Sequence, residues 1–294
     1  MKSRTAGAAL LLAVGLSTLV AAQQTMFRTA VDVVVIDVAV LDQNRPVADL
    51  TAKDFVVLDN GVKQAVEVLP SASLPVDLTL LLDASGSMTA SMESVRNEVR
   101  AIAPSLGADD QLRLLTFAWG ASEVFPMQPA RGPLPFDRFV AGGATALYDA
   151  LGSAMMRQRR PGRGDLAVVL TDAVDTSSAM TLSALQDIAR RSDVLLYVYV
   201  VRSGMDVQAD AKSGRTDYQP LNGLAGTTGG QLDVVLADNQ VSRALTRTLA
   251  EFRTRYTLRY TAAGVPPAGW HELSVSLARA GKFTIRARKG YFGG

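Results

Sequence analysis

The 294-residue chain has no cysteine and a single histidine, His271. The first absence excludes disulfides, a thiol nucleophile, a thiolate metal site and lipid attachment to an N-terminal cysteine. The second removes nearly all histidine-based metal sites and makes any Ser-His-Asp triad depend on one residue. Several nucleotide and acyl-transfer signatures are also missing. There is no G-x-S-x-G elbow, no Walker-type GK[ST] loop and no G-x-G-x-x-G after the first buried strand.

Net charge is scarce as well. Lys2 and Arg4 precede an uncharged apolar run, Ala6 to Val20, which ends in the small residues Ala21 and Ala22 before Gln23. This is the pattern of a secretory signal, residues 1–22, with cleavage expected after Ala22. An uncleaved anchor is the other reading. The run is short against the roughly 20 residues of a spanning helix, and its Ala-rich end favours cleavage. Cleavage removes two of the 30 basic residues and no acidic one, leaving 28 of each sign. A neutral mature chain offers no electrostatic case for nucleic acid or anionic lipid as a partner. No other stretch is long and apolar enough to span a membrane, so the mature protein is expected to be exported, periplasmic or secreted, without a membrane span.

What is present is a globular balance, 48% apolar and 20% charged, in a chain long enough for one large domain or two ordinary ones. Residues 27–69 read as β-structure, with a turn at Asp42 to Pro46 and a hairpin signal at Asp59-Asn60-Gly61. Val76 to Leu82 (VDLTLLL) is nearly continuous in apolar residues, as strands covered on both faces are. Apolar strands at 112–118, 166–170, 194–201 and 229–235 then alternate with helical stretches at 91–103, 145–158, 181–190 and 240–252. That order predicts an α/β fold with a doubly wound, mostly parallel sheet over residues 76–252. The tail, residues 256–291, alternates apolar and polar residues like half-buried antiparallel strands. Neither flank suffices alone, so 24–75 plus 253–294 are expected to form one small split β-sandwich domain around the inserted α/β domain.

The strongest local signal is DASGSM, residues 83–88, directly after the first buried strand. Ligands of open α/β sheets bind at the carboxyl ends of strands, beside a switch in strand order. Asp83, Ser85 and Ser87 alternate, so an extended loop can turn all three side chains one way. Thr145 in GGATALYDA and Asp172 in LAVVLTDAVD stand at matching places. One set of carboxylate and hydroxyl oxygens suits a hard divalent cation. Taken alone, DASGSM is as ordinary as any turn or helix cap.

The set D-x-S-x-S, a Thr before a helix and an Asp after a later strand resembles the metal-ion-dependent adhesion site of von Willebrand factor A (VWA) domains. The flanks, DVAVLDQNRPVADLTAKDFVVLDNGVKQ and YTLRY to ARKGYF, resemble those of exported bacterial A-domain proteins, many from Acidobacteria. The resemblance implies that Ser85 and Ser87 ligate a divalent cation directly. Thr145, Asp83 and Asp172 would do so directly or through water. Mg²⁺ is the first expectation, with Ca²⁺ or Mn²⁺ as alternatives. One position would remain for an Asp or Glu carboxylate of a partner protein. It also implies that the last helix, 240–252, can move between states of different affinity. Two departures stand out: Ala173 follows Asp172 where the family often has Gly, and Ala144 separates Gly143 from Thr145.

The expected function is therefore a metal-dependent protein–protein interaction or adhesion module, not an enzyme. A structural VWA scaffold with an empty site is the alternative. A metal-dependent hydrolase is a further one, weakened because no base lies near Ser85 or Ser87 in sequence and Ser85 stands where aspartate-nucleophile phosphatases need a second Asp. Asp149, Tyr148 and Asp175 are candidates for outer support of the site, with helix capping as the plainer role. His271 is expected to be a surface or strand residue, and Trp119 and Trp270 are expected to serve packing.

Overall fold

A computed structural model describes residues 33–69, 74–132, 134–136, 140–202, 218–236 and 240–294; the expected signal segment, 1–22, lies outside them. The β-branched run after it is strand β1 (Val33–Asp42). It turns through Gln43 and Asn44, both at positive φ, into β2 (Arg45–Pro46). Strands β3 (Phe55–Asp59) and β4 (Val62–Gln64) pair antiparallel about Asn60 and Gly61, at φ 45° and 80°. A two-residue hairpin with the right strand twist needs that pair of positive angles, which is why Asn-Gly stands there. The short β5 (Glu67–Val68) closes this first β-region.

The α/β region follows. It consists of β6 (Val76–Asp83), α1 (Met92–Arg100), β7 (Gln111–Phe117), β8 (Ala121–Pro129), α2 (Leu147–Met155), β9 (Gly164–Thr171), α3 (Leu182–Arg191), β10 (Leu195–Arg202), α4 (Gln219–Thr228), β11 (Gln231–Leu236) and α5 (Val241–Arg253). Its six-stranded sheet has the order β11-β10-β9-β6-β7-β8. All neighbours are parallel except β7 and β8, which form an antiparallel pair at one edge. Every residue of β6 and of β9 is buried. The reason is that helices cover both faces. Leu78, Leu80 and Leu82 pack with residues of α1 and α5, whereas Leu81 packs with α2, α3 and α4. Each such leucine removed from water contributes roughly 1.5–3 kcal/mol.

Strand order reverses at β6. The chain runs outward from it to β7 and β8, then returns to its other side as β9. A switch point of this kind leaves a crevice at the carboxyl end of β6, and Asp83 is the last residue of that strand. At the opposite end, buried Asp77 accepts from Arg157, Arg160 and Arg163 at 3.0, 2.6 and 2.5 Å.

Strands β12 (Tyr256–Thr261), β13 (Gly269–Leu277), β14 (Phe283–Arg286) and β15 (Gly290–Gly293) complete the chain. They do not pair chiefly with one another. β1 lies between β14 and β12, and β13 lies between β15 and β3. The two sheets share a core that includes Ile36, Val38, Phe55, Val57, Leu258, Tyr260 and Leu273. Described residues from both sides of the α/β region thus contribute to one core. Buried Arg255 joins it to the α/β region, donating to Glu251 of α5 at 3.1 Å, to the Gly229 carbonyl at 2.7 Å and to the Asp37 carbonyl at 3.3 Å.

Three elements differ from the sequence reading. α4 is not legible because two glycines and a proline dilute its apolar face; Gly229, at φ 90°, caps it, so the strand expected from 229 begins at Gln231. β8 is an irregular edge strand interrupted by register shifts. FTIRARKGYF divides into β14 and β15, which belong to different sheets. Among the described residues no helix is long and apolar enough to cross a membrane.

Candidate metal centre

Asp83 is wholly buried and both of its carboxylate oxygens have work. Oδ1 accepts the Ser85 N–H at 2.9 Å, which folds the loop back on the strand end. Oδ2 accepts the Thr171 hydroxyl at 2.5 Å, which ties β6 to β9. Burial pushes the Asp83 pKa up; hydrogen bonds from Ser85 and Thr171 oppose the rise, and the charge of Asp172 adds to it. Ser85 is buried and Ser87 exposed, with their hydroxyl oxygens 3.0 Å apart.

The Thr145 loop is stitched to this one through backbone groups. Gly142 N–H donates to the Ala84 carbonyl at 2.7 Å, and Gly86 N–H donates to the Gly143 carbonyl at 3.0 Å. Thr145 is buried. Its N–H donates to Thr176 Oγ1 at 2.8 Å, and its carbonyl accepts from Thr176 and Ser177 N–H groups. The loop after β9 therefore holds Thr145 in place. Asp172 opens that loop, half-buried, with Oδ1 accepting the Val174 N–H at 3.3 Å. Ala173 sits at φ +72°, a left-handed conformation that strains a residue with a Cβ.

Three loops, 83–88, 142–146 and 172–177, thus form one hydrogen-bonded assembly at the carboxyl edge of the sheet. It carries all five oxygen-bearing residues singled out from the sequence: Asp83, Ser85 and Ser87 on the first loop, Thr145 on the second and Asp172 on the third. Two carboxylates and three hydroxyls, with no nitrogen or sulfur, are a donor set for a hard cation. Among the described residues no group of three or more His, Cys, Asp or Glu side chains could hold a metal. The two carboxylates would balance the charge of a divalent ion, and the three hydroxyls would add neutral oxygens around it.

Other residues of the neighbourhood have supporting roles. Asp175 accepts the Tyr148 N–H at 3.2 Å, within the first turn of α2, and the Ser178 hydroxyl at 2.5 Å. Asp149 accepts the N–H groups of Ala179 and Met180. These side chains fasten α2 to the third loop. Thr171 and Thr176 were not legible as site residues, because a Thr at a strand end or in a turn reads as a structure former. Trp119, expected to pack, lays its indole against Gly143 but is 76% exposed. His271 lies on β13, as a strand residue, but is wholly buried, with Nδ1 at 2.8 Å from Asp59. Tyr260 and Tyr291 donate to the same carboxylate. Among the described residues, the hydrogen-bonding partners of His271 are Asp59 and Tyr291.

The family model for the von Willebrand factor type A domain matches residues 77–247. No curated protein matches the chain in sequence. Among solved structures, a von Willebrand factor type A protein from Catenulispora acidiphila aligns at 12% identity over 83% of this chain and 75% of its own, with a TM-score of 0.53. Proximal thread matrix protein 1 of the mussel byssus, with a zinc-occupied MIDAS motif, aligns at 17% identity over 66% of this chain and 49% of its own, TM-score 0.49. The pilus adhesin SpaC from Lactobacillus rhamnosus GG aligns at 14% identity over 88% of this chain and 47% of its own, TM-score 0.49. At such identities the first likeness speaks for the fold alone, and the other two are too distant to argue from.

Proposed function

The chain belongs to the von Willebrand factor type A domain family, and on that premise we propose that it is an exported module that grips a partner protein through a divalent cation. The cation is held by Asp83, Ser85, Ser87, Thr145 and Asp172. The observation that carries this reading is the pair of serine hydroxyls 3.0 Å apart on a loop locked by buried Asp83 at the switch point of the sheet. When bound, Mg²⁺ (or Ca²⁺ or Mn²⁺) supplies the positive charge to which an Asp or Glu carboxylate of the partner binds.

The chain's own residues serve rigidity. Asp83 orients Ser85 through its backbone, Thr171 fixes Asp83, and Thr176 fixes Thr145. No residue is assigned a catalytic role. The serine hydroxyls bond one another, and the sole histidine is engaged with Asp59 in the terminal sheets. Those sheets are read as the split β-sandwich domain, 24–75 plus 253–294, on the support of their shared core. The protein acts in the periplasm or outside the cell.

The test is thermal melting of the chain from Gln23 onward, first in chelator and then in millimolar Mg²⁺, Ca²⁺ or Mn²⁺. A ligand of the native state raises the midpoint. The rise is expected in the native sequence and is lost in Asp83→Ala and Ser85→Ala. Absence of any rise leaves a VWA scaffold without a working site.

A further inference from the structure

Trp119 lies between β7 and β8 and is 76% exposed. Its indole covers Gly143 so closely that a Cβ there would stand 2.4 Å from Nε1 and 2.7 Å from Cδ1. Gly143, at φ +96°, is the residue whose carbonyl accepts the Gly86 N–H of the serine loop. The neighbouring Ala118 carbonyl accepts the Ala146 N–H, next to Thr145, at 2.7 Å. The ring is therefore laid over the joint between two loops of the metal centre.

Further apolar side chains are exposed on the same loops. Val140 is 89% exposed and Val174 46%. Val140 also lines a groove of about 450 Å³ with apolar Ala84, Phe117 and Val124 and with polar Thr116, Ser122 and Glu123, a further acid. Ala84 stands between Asp83 and Ser85. The groove thus opens directly beside the cation ligands. Tryptophan is among the residues most enriched at the energetic hot spots of protein interfaces.

The charges around this rim define the occupant further. Residues 83–88, 118–120, 140–146 and 172–178 include Asp83, Asp172 and Asp175 and no Lys or Arg. Without a cation the surface repels acidic groups, so a carboxylate must arrive on the metal. Whatever accompanies it meets an aromatic and aliphatic rim.

We propose that Trp119 is a specificity residue that receives a large apolar side chain adjacent to the partner's metal-bound Asp or Glu. The recognised element is then an acidic residue within two positions of Phe, Tyr, Trp, Leu or Ile on an exposed loop of the partner. This rests on the metal-dependent reading above.

The experiment is selection from a phage-displayed heptapeptide library on the chain from Gln23 onward, which contains the compact unit Asp32–Gly294. Native protein, Trp119→Ala and Trp119→Phe are each used in Mg²⁺ and in chelator. In Mg²⁺ the native protein enriches peptides that pair an acid with a neighbouring apolar residue. Trp119→Ala keeps the acid and loses the apolar neighbour, binding a selected peptide about tenfold more weakly; Trp119→Phe retains most of the preference. Equal melting rises with Mg²⁺ in all three proteins show that the metal centre is intact. No apolar enrichment, the same enrichment with Trp119→Ala, or enrichment of Lys and Arg in place of acids would overturn the proposal. Apolar enrichment that depends on Trp119 but ignores the chelator supports the role of Trp119 and sinks the metal reading instead.

Discussion

The Thr171 hydroxyl donates to Asp83 Oδ2 at 2.5 Å, joining the last residues of two adjacent parallel strands. Both groups are wholly buried. The bond therefore secures the spacing of the first and third loops from below, where water cannot replace it. Thr171→Val keeps the shape and deletes the donor, leaving one carboxylate oxygen of Asp83 short of a partner. The expected cost is about 1–3 kcal/mol. Urea denaturation in chelator should show the loss in Thr171→Val and near-native stability in Thr171→Ser. Equal stability of all three would mean that Asp83 finds another donor.

Ala173 offers a test in the opposite direction. At φ +72° an Ala costs roughly 1–2 kcal/mol that glycine does not, while glycine gives back part of this by loosening the unfolded chain. Ala173→Gly should raise stability by about 0.5–1 kcal/mol. Ala173→Val should lower it by more than that, since a branched Cβ tolerates this conformation least. A denaturant midpoint that falls with glycine contradicts the strain.

Asp165 makes stability depend on pH. Burial raises its pKa from 3.8 to about 6; Arg157 opposes the rise, and the nearby charge of Asp77 adds to it. The folded state then holds this proton more tightly than the unfolded state. Protonated Asp165 is favourable to folding below about pH 4, and stability falls as pH climbs from about 4 to about 6. The full effect is on the order of 2–3 kcal/mol. Asp165→Asn should remove that part of the slope. Unfolding free energies at intervals from pH 4 to 7 check this, and parallel curves for the two proteins would refute it.

Glu251 and Arg255 are both buried and lie four residues apart across the end of α5, and Arg286 of β14 donates to the same glutamate at 2.6 Å. Glu251→Ala strands the Arg255 charge between helix and sheet. Removing one partner of a buried pair costs about 3–5 kcal/mol. The melting temperature should drop sharply, and by much more than in Arg190→Ala, whose ion pair with Asp187 is exposed at the surface. Comparable drops for the two variants would place the pair outside the cooperative core.

Much of the architecture was legible because burial on two faces leaves an unmistakable trace. VDLTLLL and LAVVL have almost no polar positions, and Asn60-Gly61 announces a hairpin through backbone angles that few residues tolerate. The loops bearing Asp83, Thr145 and Asp172 were legible for the same reason, since each ends or follows a recognisable element. The bonds that draw those loops together were not. They run from Gly142 and Gly86 N–H groups to the Ala84 and Gly143 carbonyls, and a residue letter says nothing of where its backbone donates. Nor was the burial of His271, which depends on Asp59, 212 residues away in sequence, arriving beside it.

The pairing of β1 with β12 also sets an order of events during synthesis. Asp37 meets Thr257, 220 residues later in the chain. Strands β1 and β3 gain β2 and β4 as partners at once, but β12, β14 and β13 reach them only after the α/β region has emerged. Until β12 to β15 appear, the first strands present open edges and half a hydrophobic core, the condition in which chains stick to one another. Residues 256–294 thus complete the core that β1 and β3 begin, and a chain cut before them would leave those strands half covered.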